Sequence, residues 1–155
     1  MVKNLSVNSE KKFKVNKRFV HSVIGNLSGE LGFESIGLEI NFVSGEFIYD
    51  LNKQYLNHLN TTDIITFNYS ELKDKLSGEI YISVDDARKN SKRYNCSFEL
   101  EILRLIIHGI LHLLKYDDIE AEDKKIMKKL ENDLVNKYKY IITNNMNLVY
   151  DSENN

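Results

Sequence analysis

Ser97-Phe98-Glu99-Leu100-Glu101-Ile102-Leu103-Arg104-Leu105-Ile106-Ile107-His108-Gly109-Ile110-Leu111-His112-Leu113-Leu114 is the most apolar stretch of the chain. Ser97 is a helix-capping residue type, and the aliphatic residues after it cover most of a helical circumference. The pattern predicts a nearly buried helix from Phe98 to about Leu114. Its polar interruptions are few and ordered, because Glu101, Arg104, His108 and His112 fall on one stripe. Residues four apart differ by only about 40° in direction and about 6 Å along the axis, so the two imidazoles project together and can share a metal ion. Asp118 follows six positions after His112. On a continued helix it would lie about 15 Å beyond His108 and could not join the pair. If the helix ends between Leu114 and Tyr116 and the chain turns back, the Asp118 carboxylate supplies a third ligand and leaves a coordination position open for water.

A polar stripe on an apolar helix is ordinarily its solvent face, so the pair needs support. Two of the only four histidines share the stripe, an acidic residue follows at workable spacing, and Gly109 beside His108 allows another element to come close. Imidazole and carboxylate ligands without thiolate suit Zn²⁺ among several divalent metals. Gly109 stands where the zinc-peptidase motif H-E-x-x-H has its general-base Glu, which disfavours peptidase chemistry. What remains is metal-assisted hydrolysis, for which phosphodiester cleavage is suited. No side-chain general acid or base is assigned from the pattern.

Outward from this helix, Val15, Phe19, Val23, Ile24 and Leu27 recur at helical spacing and predict an amphipathic helix, with His21 off the stripe. Strict alternation over Ile36–Phe42 predicts a half-buried strand. Ser44 is placed to cap a helix burying Phe47, Ile48, Leu51 and Tyr55. After a polar loop over Asn57–Thr62, Asp63–Phe67 and Gly78–Ser83 read as strands. Asp85 and Asp86 open a basic helix through Arg88, Lys89, Lys92 and Arg93. A last helix, from about Ile119 to Tyr138, is expected to bury Ile126, Met127, Leu130, Leu134 and Val135. No regular βαβ rhythm joins these elements, so the expected class is α+β, a sheet packed on one face by helices. Residues 1–140 are expected to form one domain and 141–155 a flexible C-terminal tail.

Composition narrows the function classes. The chain has 155 residues, with 21 Lys+Arg against 23 Asp+Glu and a net charge of −2, which argues weakly against a dedicated nucleic-acid binder. The basic residues are nevertheless bunched in Lys11–Arg18, Arg88–Arg93 and Lys124–Lys129, so a local positive surface is compatible with that total. One cysteine, Cys96, excludes an internal disulfide and a cysteine-based zinc site. With no apolar leader and no run of about 20 apolar residues, a cytoplasmic protein without membrane contact is expected.

His108-Gly109-Ile110-Leu111-His112-Leu113, continuing to Tyr116-Asp117-Asp118, closely resembles the signature H-G-x-L-H-L-x-G-Y-D-H of the YbeY endoribonuclease family, the rRNA maturation RNases. Leu51-Asn52 with Tyr55 is similar to that family's L-N-x-x-Y. Thr62-Asp63-Ile64-Ile65-Thr66-Phe67 is similar to its T-D-V-L-S-F, and Gly78-Glu79-Ile80 to its G-D-I. Order and spacing agree from about Ser44 to Tyr138.

The resemblance implies an α+β fold with about four strands in a small mixed sheet, about five helices, and a cleft over the metal. It implies a zinc-dependent, single-strand-specific endoribonuclease that matures the 3′ end of 16S rRNA and serves ribosome quality control. Its partners would be single-stranded RNA, rRNA, and the ribosome or small-subunit proteins. His108 and His112 match the first two metal histidines; Asp118 stands at the third, with Asp117 the rival if the register shifts by one. Lys115 replaces a glycine just after the histidine helix, and at a positive φ it would cost about 1 kcal/mol. A family arginine thought to engage RNA falls on Leu56; Lys53, His58 and Arg104 are nearby cations without motif support. Two other readings stand beside the nuclease: a weakly catalytic or non-catalytic ribosome assembly factor with a structural metal site, and a metal-dependent hydrolase of a non-RNA substrate.

Overall fold

The computed structural model describes residues 1–55, 62–143 and 148–151. Along the chain run β1 (Leu5–Ser9), β2 (Phe13–Val15), α1 (Lys17–Leu31), β3 (Glu34–Val43), α2 (Gly45–Tyr55), β4 (Ile64–Asn68), β5 (Lys75–Ser83), α3 (Val84–Arg93), α4 (Phe98–Leu113), α5 (Ala121–Tyr138) and β6 (Val149–Asp151), with a 3₁₀ turn at Lys139–Ile141. The four-stranded sheet has the order β1-β3-β5-β4; β1 and β5 flank β3 in parallel, and β4 runs antiparallel to β5. This is the expected α+β class.

The side-chain period of the strands decides what covers the sheet. Leu38, Ile40 and Phe42 of β3 and Leu76, Ile80 and Ile82 of β5 point to one face, where they join α1 and α4 in the main core. The alternate positions are not uniformly polar. Val43, Ile65, Phe67 and Tyr81 make a smaller apolar cluster with Ile48 and Leu51 of α2. Helices therefore cover both faces, which corrects the expectation of a sheet covered on one side. On α2, Ile48 is buried, but Phe47 is 40% and Tyr55 61% exposed, because α2 seats on a narrow aromatic strip rather than a broad core. Phe47 stacks on Tyr81, and Tyr55 meets Phe67 edge-on.

Four of the five α-helices among the described residues, all but α5, are capped locally by a side chain. Asn16, Ser44, Ser83 and Ser97 accept backbone N–H bonds from Phe19, Phe47, Asp86 and Leu100, all at 3.1 Å. Val15 is therefore not in α1 but in β2. Gly109 lets α4 settle onto β4 and β5, since a Cβ there would stand 2.9 Å from Ile80 Cδ1 and 3.1 Å from Ile64 Cδ1. On α5, Met127, Leu134 and Val135 are buried as expected, whereas Ile126 is 55% exposed.

Three strands escape the sequence pattern. β1 buries only Val7, and β2 and β6 have three residues each, too few for a period of two to register. β6 lies within the segment expected as a tail. It pairs antiparallel with β2, and Leu148 and Val149 are buried in the core. No helix among the described residues is long and apolar enough to cross a membrane.

Candidate metal centre and its cleft

α4 ends where the site requires. Lys115 adopts φ 76°, and the chain closes the helix with Lys115 N–H donating to His112 O and Tyr116 N–H to Leu111 O, both at 3.0 Å. That is the left-handed helix stop usually built on glycine. The Asn68 amide of β4 donates to Leu113 O at 3.0 Å, which satisfies a further end carbonyl. The reversed chain brings Asp118 back beside the histidines.

Nε2 of His108 and Nε2 of His112 lie 3.1 Å apart, and Asp118 Oδ2 is 3.8 Å from His112 Nε2. All three donor atoms fall within 4.8 Å of one another, and the group is able to hold a metal ion. Two nitrogens bound at 2.0–2.1 Å to a tetrahedral ion stand about 3.4 Å apart, so the spacing and the donor chemistry fit a divalent ion such as zinc. Asp117 instead accepts the Ile119 N–H at 3.4 Å.

The residue that orients the pair was not found from sequence. Glu131 on α5 is 4% exposed, and its Oε1 lies 2.6 Å from His108 Nδ1. With the proton on Nδ1, the Nε2 lone pair is left to face His112, as a carboxylate partner does for a metal-bound imidazole. Arg104 donates to Glu131 Oε2 at 3.0 Å and to Asn132 Oδ1 at 2.8 Å, and Lys128 Nζ lies 3.3 Å from Glu131 Oε2. Burial works to raise the Glu131 carboxyl, but the His108 bond and charge, Arg104 and Lys128 outweigh it and hold it down at about 2. A buried glutamate among Met127, Leu134 and Val135 was the available signal: a polar residue on an apolar stripe. His112 is held below the ordinary histidine value, by burial first and then by the His108 charge, against the upward pull of Asp118.

His108, Asp118, Glu131 and Arg104 border a cleft of about 880 Å³ between α3, α4 and α5. On its floor the Asn90 side chain donates to Asp63 Oδ2 at 3.0 Å and to Glu101 Oε2 at 3.2 Å, and burial pushes both carboxyls up. Of the cations considered for the missing arginine, Arg104 is committed to Glu131 and Asn132, and Lys53 sits exposed on α2. Leu56, His58 and the loop read over Asn57–Thr62 lie outside the described residues, apart from Thr62 at the cleft edge.

Fold and site together define a class: a single α+β domain whose cleft closes on two imidazoles and a carboxylate able to hold a divalent ion. The chain belongs to the YbeY endoribonuclease family, whose model matches residues 3–139. It is 38% identical over 118 residues to the endoribonuclease YbeY of Bacteroides thetaiotaomicron, covering 76% of this chain and 85% of that one. To the Bacteroides fragilis protein of the same name it is 45% identical over 91 residues, 59% of this chain and 65% of the other. The solution structure of TM1509 from Thermotoga maritima matches with a TM-score of 0.60 at 24% identity, over 92% of this chain and 99% of that one, which supports the fold alone.

Proposed function

We propose that this chain is a zinc-dependent, single-strand-specific endoribonuclease that matures the 3′ end of 16S rRNA and acts in ribosome quality control in the cytoplasm, with the ribosome or its small-subunit proteins as partners. The observation that carries the reading is the convergence of His108, His112 and Asp118, two of which, His108 and Asp118, line the cleft. His108 and His112 would hold the ion through Nε2 and Asp118 through its carboxylate. A divalent ion held by these residues would supply Lewis-acid chemistry, polarising a phosphodiester and lowering the pKa of water toward about 7. Glu131 keeps the His108 ring in its tautomer, and Arg104 fixes Glu131 in turn. The carboxylate ligand makes the centre less positive by one charge than a three-histidine set, so water there should be less acidic.

The test is metal analysis of the purified protein beside cleavage of single-stranded RNA, for the natural chain and for His108→Ala and Asp118→Ala. Stoichiometric zinc, and cleavage lost with it, is the expected result. Cleavage that survives removal of the metal would falsify the metal-dependent reading. Full metal content in Asp118→Ala would move the third ligand to Asp117. Bound zinc without RNA cleavage under any condition would replace the nuclease with an assembly factor carrying a structural metal.

A further inference from the structure

Two of the three basic clusters in the sequence meet at the cleft. Arg93 and Tyr94 border it at the end of α3, and Lys124 and Lys128 border it from α5. The four positions on α5 that line it, Lys124, Met127, Lys128 and Glu131, recur at intervals of three and four and so form one face of the helix. Four of the acidic side chains that line the cleft already have hydrogen-bond partners within the protein. Asp63 and Glu101 accept from Asn90, Asp86 accepts from the Ser83 hydroxyl, and Glu131 accepts from Arg104. Arg93 and Lys124 are exposed, and among the described residues neither side chain is paired with a carboxylate. The result is an acidic floor held by internal hydrogen bonds under a cationic rim.

Tyr94 supplies a different kind of contact on the same rim. It is 64% exposed although it lines the cleft, and its backbone is held at the helix end by the bond from its N–H to Asn90 O at 2.9 Å. An aromatic ring offered from a fixed backbone into a cleft is a platform on which a nucleobase can stack without regard to sequence. A base inside a duplex has both faces occupied, so such a platform selects unpaired nucleotides.

We propose that Tyr94 stacks on an unpaired base of the RNA while Arg93, Lys124 and Lys128 hold the neighbouring phosphates, so that the preference for single strands is built into the rim of the cleft. The proposal rests on the endoribonuclease reading and assigns it a binding surface.

The experiment compares binding of a short mixed-sequence RNA, single-stranded and as its duplex, to the full chain by fluorescence anisotropy, with cleavage and metal content measured on the same preparations. Tyr94→Ala should weaken single-strand binding roughly tenfold, within the range for loss of one base stack, and leave duplex binding unmoved. Tyr94→Phe should restore single-strand binding to within about twofold. The slope of log affinity against log salt should become shallower by about 0.7 in Lys124→Ala and by about 1.4 when Lys128→Ala is added. Lys128 touches Glu131, so Lys124→Ala alone is the arm free of any effect on the metal site. If the natural chain cleaves RNA and these variants bind and cleave as it does, the rim proposal fails and the nuclease reading stands. Equal weakening of single-strand and duplex binding in Tyr94→Ala also overturns it. A natural chain that neither binds nor cleaves RNA fails both.

Discussion

Helix α4 has two faces held in place by different physics. Toward the sheet, Ile102, Ile106, Gly109, Ile110 and Leu113 are buried, and their fit is one of volume: Gly109 admits Ile80 and Ile64 where no side chain would fit. Toward the cleft, Glu101 bonds to Asn90 of α3, and Arg104 and His108 bond to Asn132 and Glu131 of α5. The first face sets how firmly the helix sits; the second sets which atoms converge at its end. A change on one face should therefore be nearly silent in the property governed by the other.

The largest effect expected is on activity. His112→Ala removes a metal donor that has no bond to Glu131. Metal content should fall toward zero and RNA cleavage by about a thousandfold or more, the scale of several kcal/mol of Lewis-acid stabilisation. Chemical denaturation of this variant should stay within about 1 kcal/mol of the natural chain when both are stripped of metal. On the opposite face, Ile106→Ala should cost about 2–5 kcal/mol of stability, while the folded fraction still takes up metal. If both variants lose stability and metal together, the division between the faces is broken.

Glu131→Gln tests whether the cleft face acts through orientation. Metal affinity read by competition with a chelator should fall about 10–100-fold, with smaller losses in the resting fold. Protons provide a finer test. Because His112 is held below the ordinary histidine value, it stays neutral in a range where a free imidazole is charged, so the midpoint of metal release on acidification should lie below about pH 6.5. The same shift means that the unfolded chain binds the extra proton first. The His112 contribution, read as the difference in metal-free stability between the natural chain and His112→Ala, should therefore rise with pH across the window that ends near 6.5, and a fall of that difference would contradict the assignment. The smallest effect concerns the helix stop. Lys115→Gly should stabilise the protein by about 1 kcal/mol, seen as a higher denaturation midpoint, because φ 76° strains any residue with a Cβ.

How much of this was legible follows from the range of each signal. The cap at Ser97, the apolar circumference of α4 and the four-residue spacing of His108 and His112 are local, and the structure reproduces them at the same residues. Asp118 depended on a turn whose glycine signal is absent, yet Lys115 takes the left-handed conformation and the carboxylate returns to the histidines. Glu131 depended on α5 crossing α4, a tertiary event 23 positions away, and no spacing rule reaches that far. The same holds for Asn90, whose two carboxylate partners come from β4's approach and α4. β1 was hidden for a different reason: as an edge strand with a single buried residue, it carries almost no pattern of its own.

The β2–β6 pair, small as it is, bears on how the molecule is assembled in time. It joins Phe13 to Asp151, nearly the full span of the chain, so it is among the most non-local contacts in the fold. Pairings of that kind bear the highest loop-closure entropy and form late. The four-stranded sheet and α4, whose contacts are closer in sequence, are able to form before it. The metal-site end of α4 would then be in place while Phe13 still waits for its partner strand, and the clasp that seals the domain would close last.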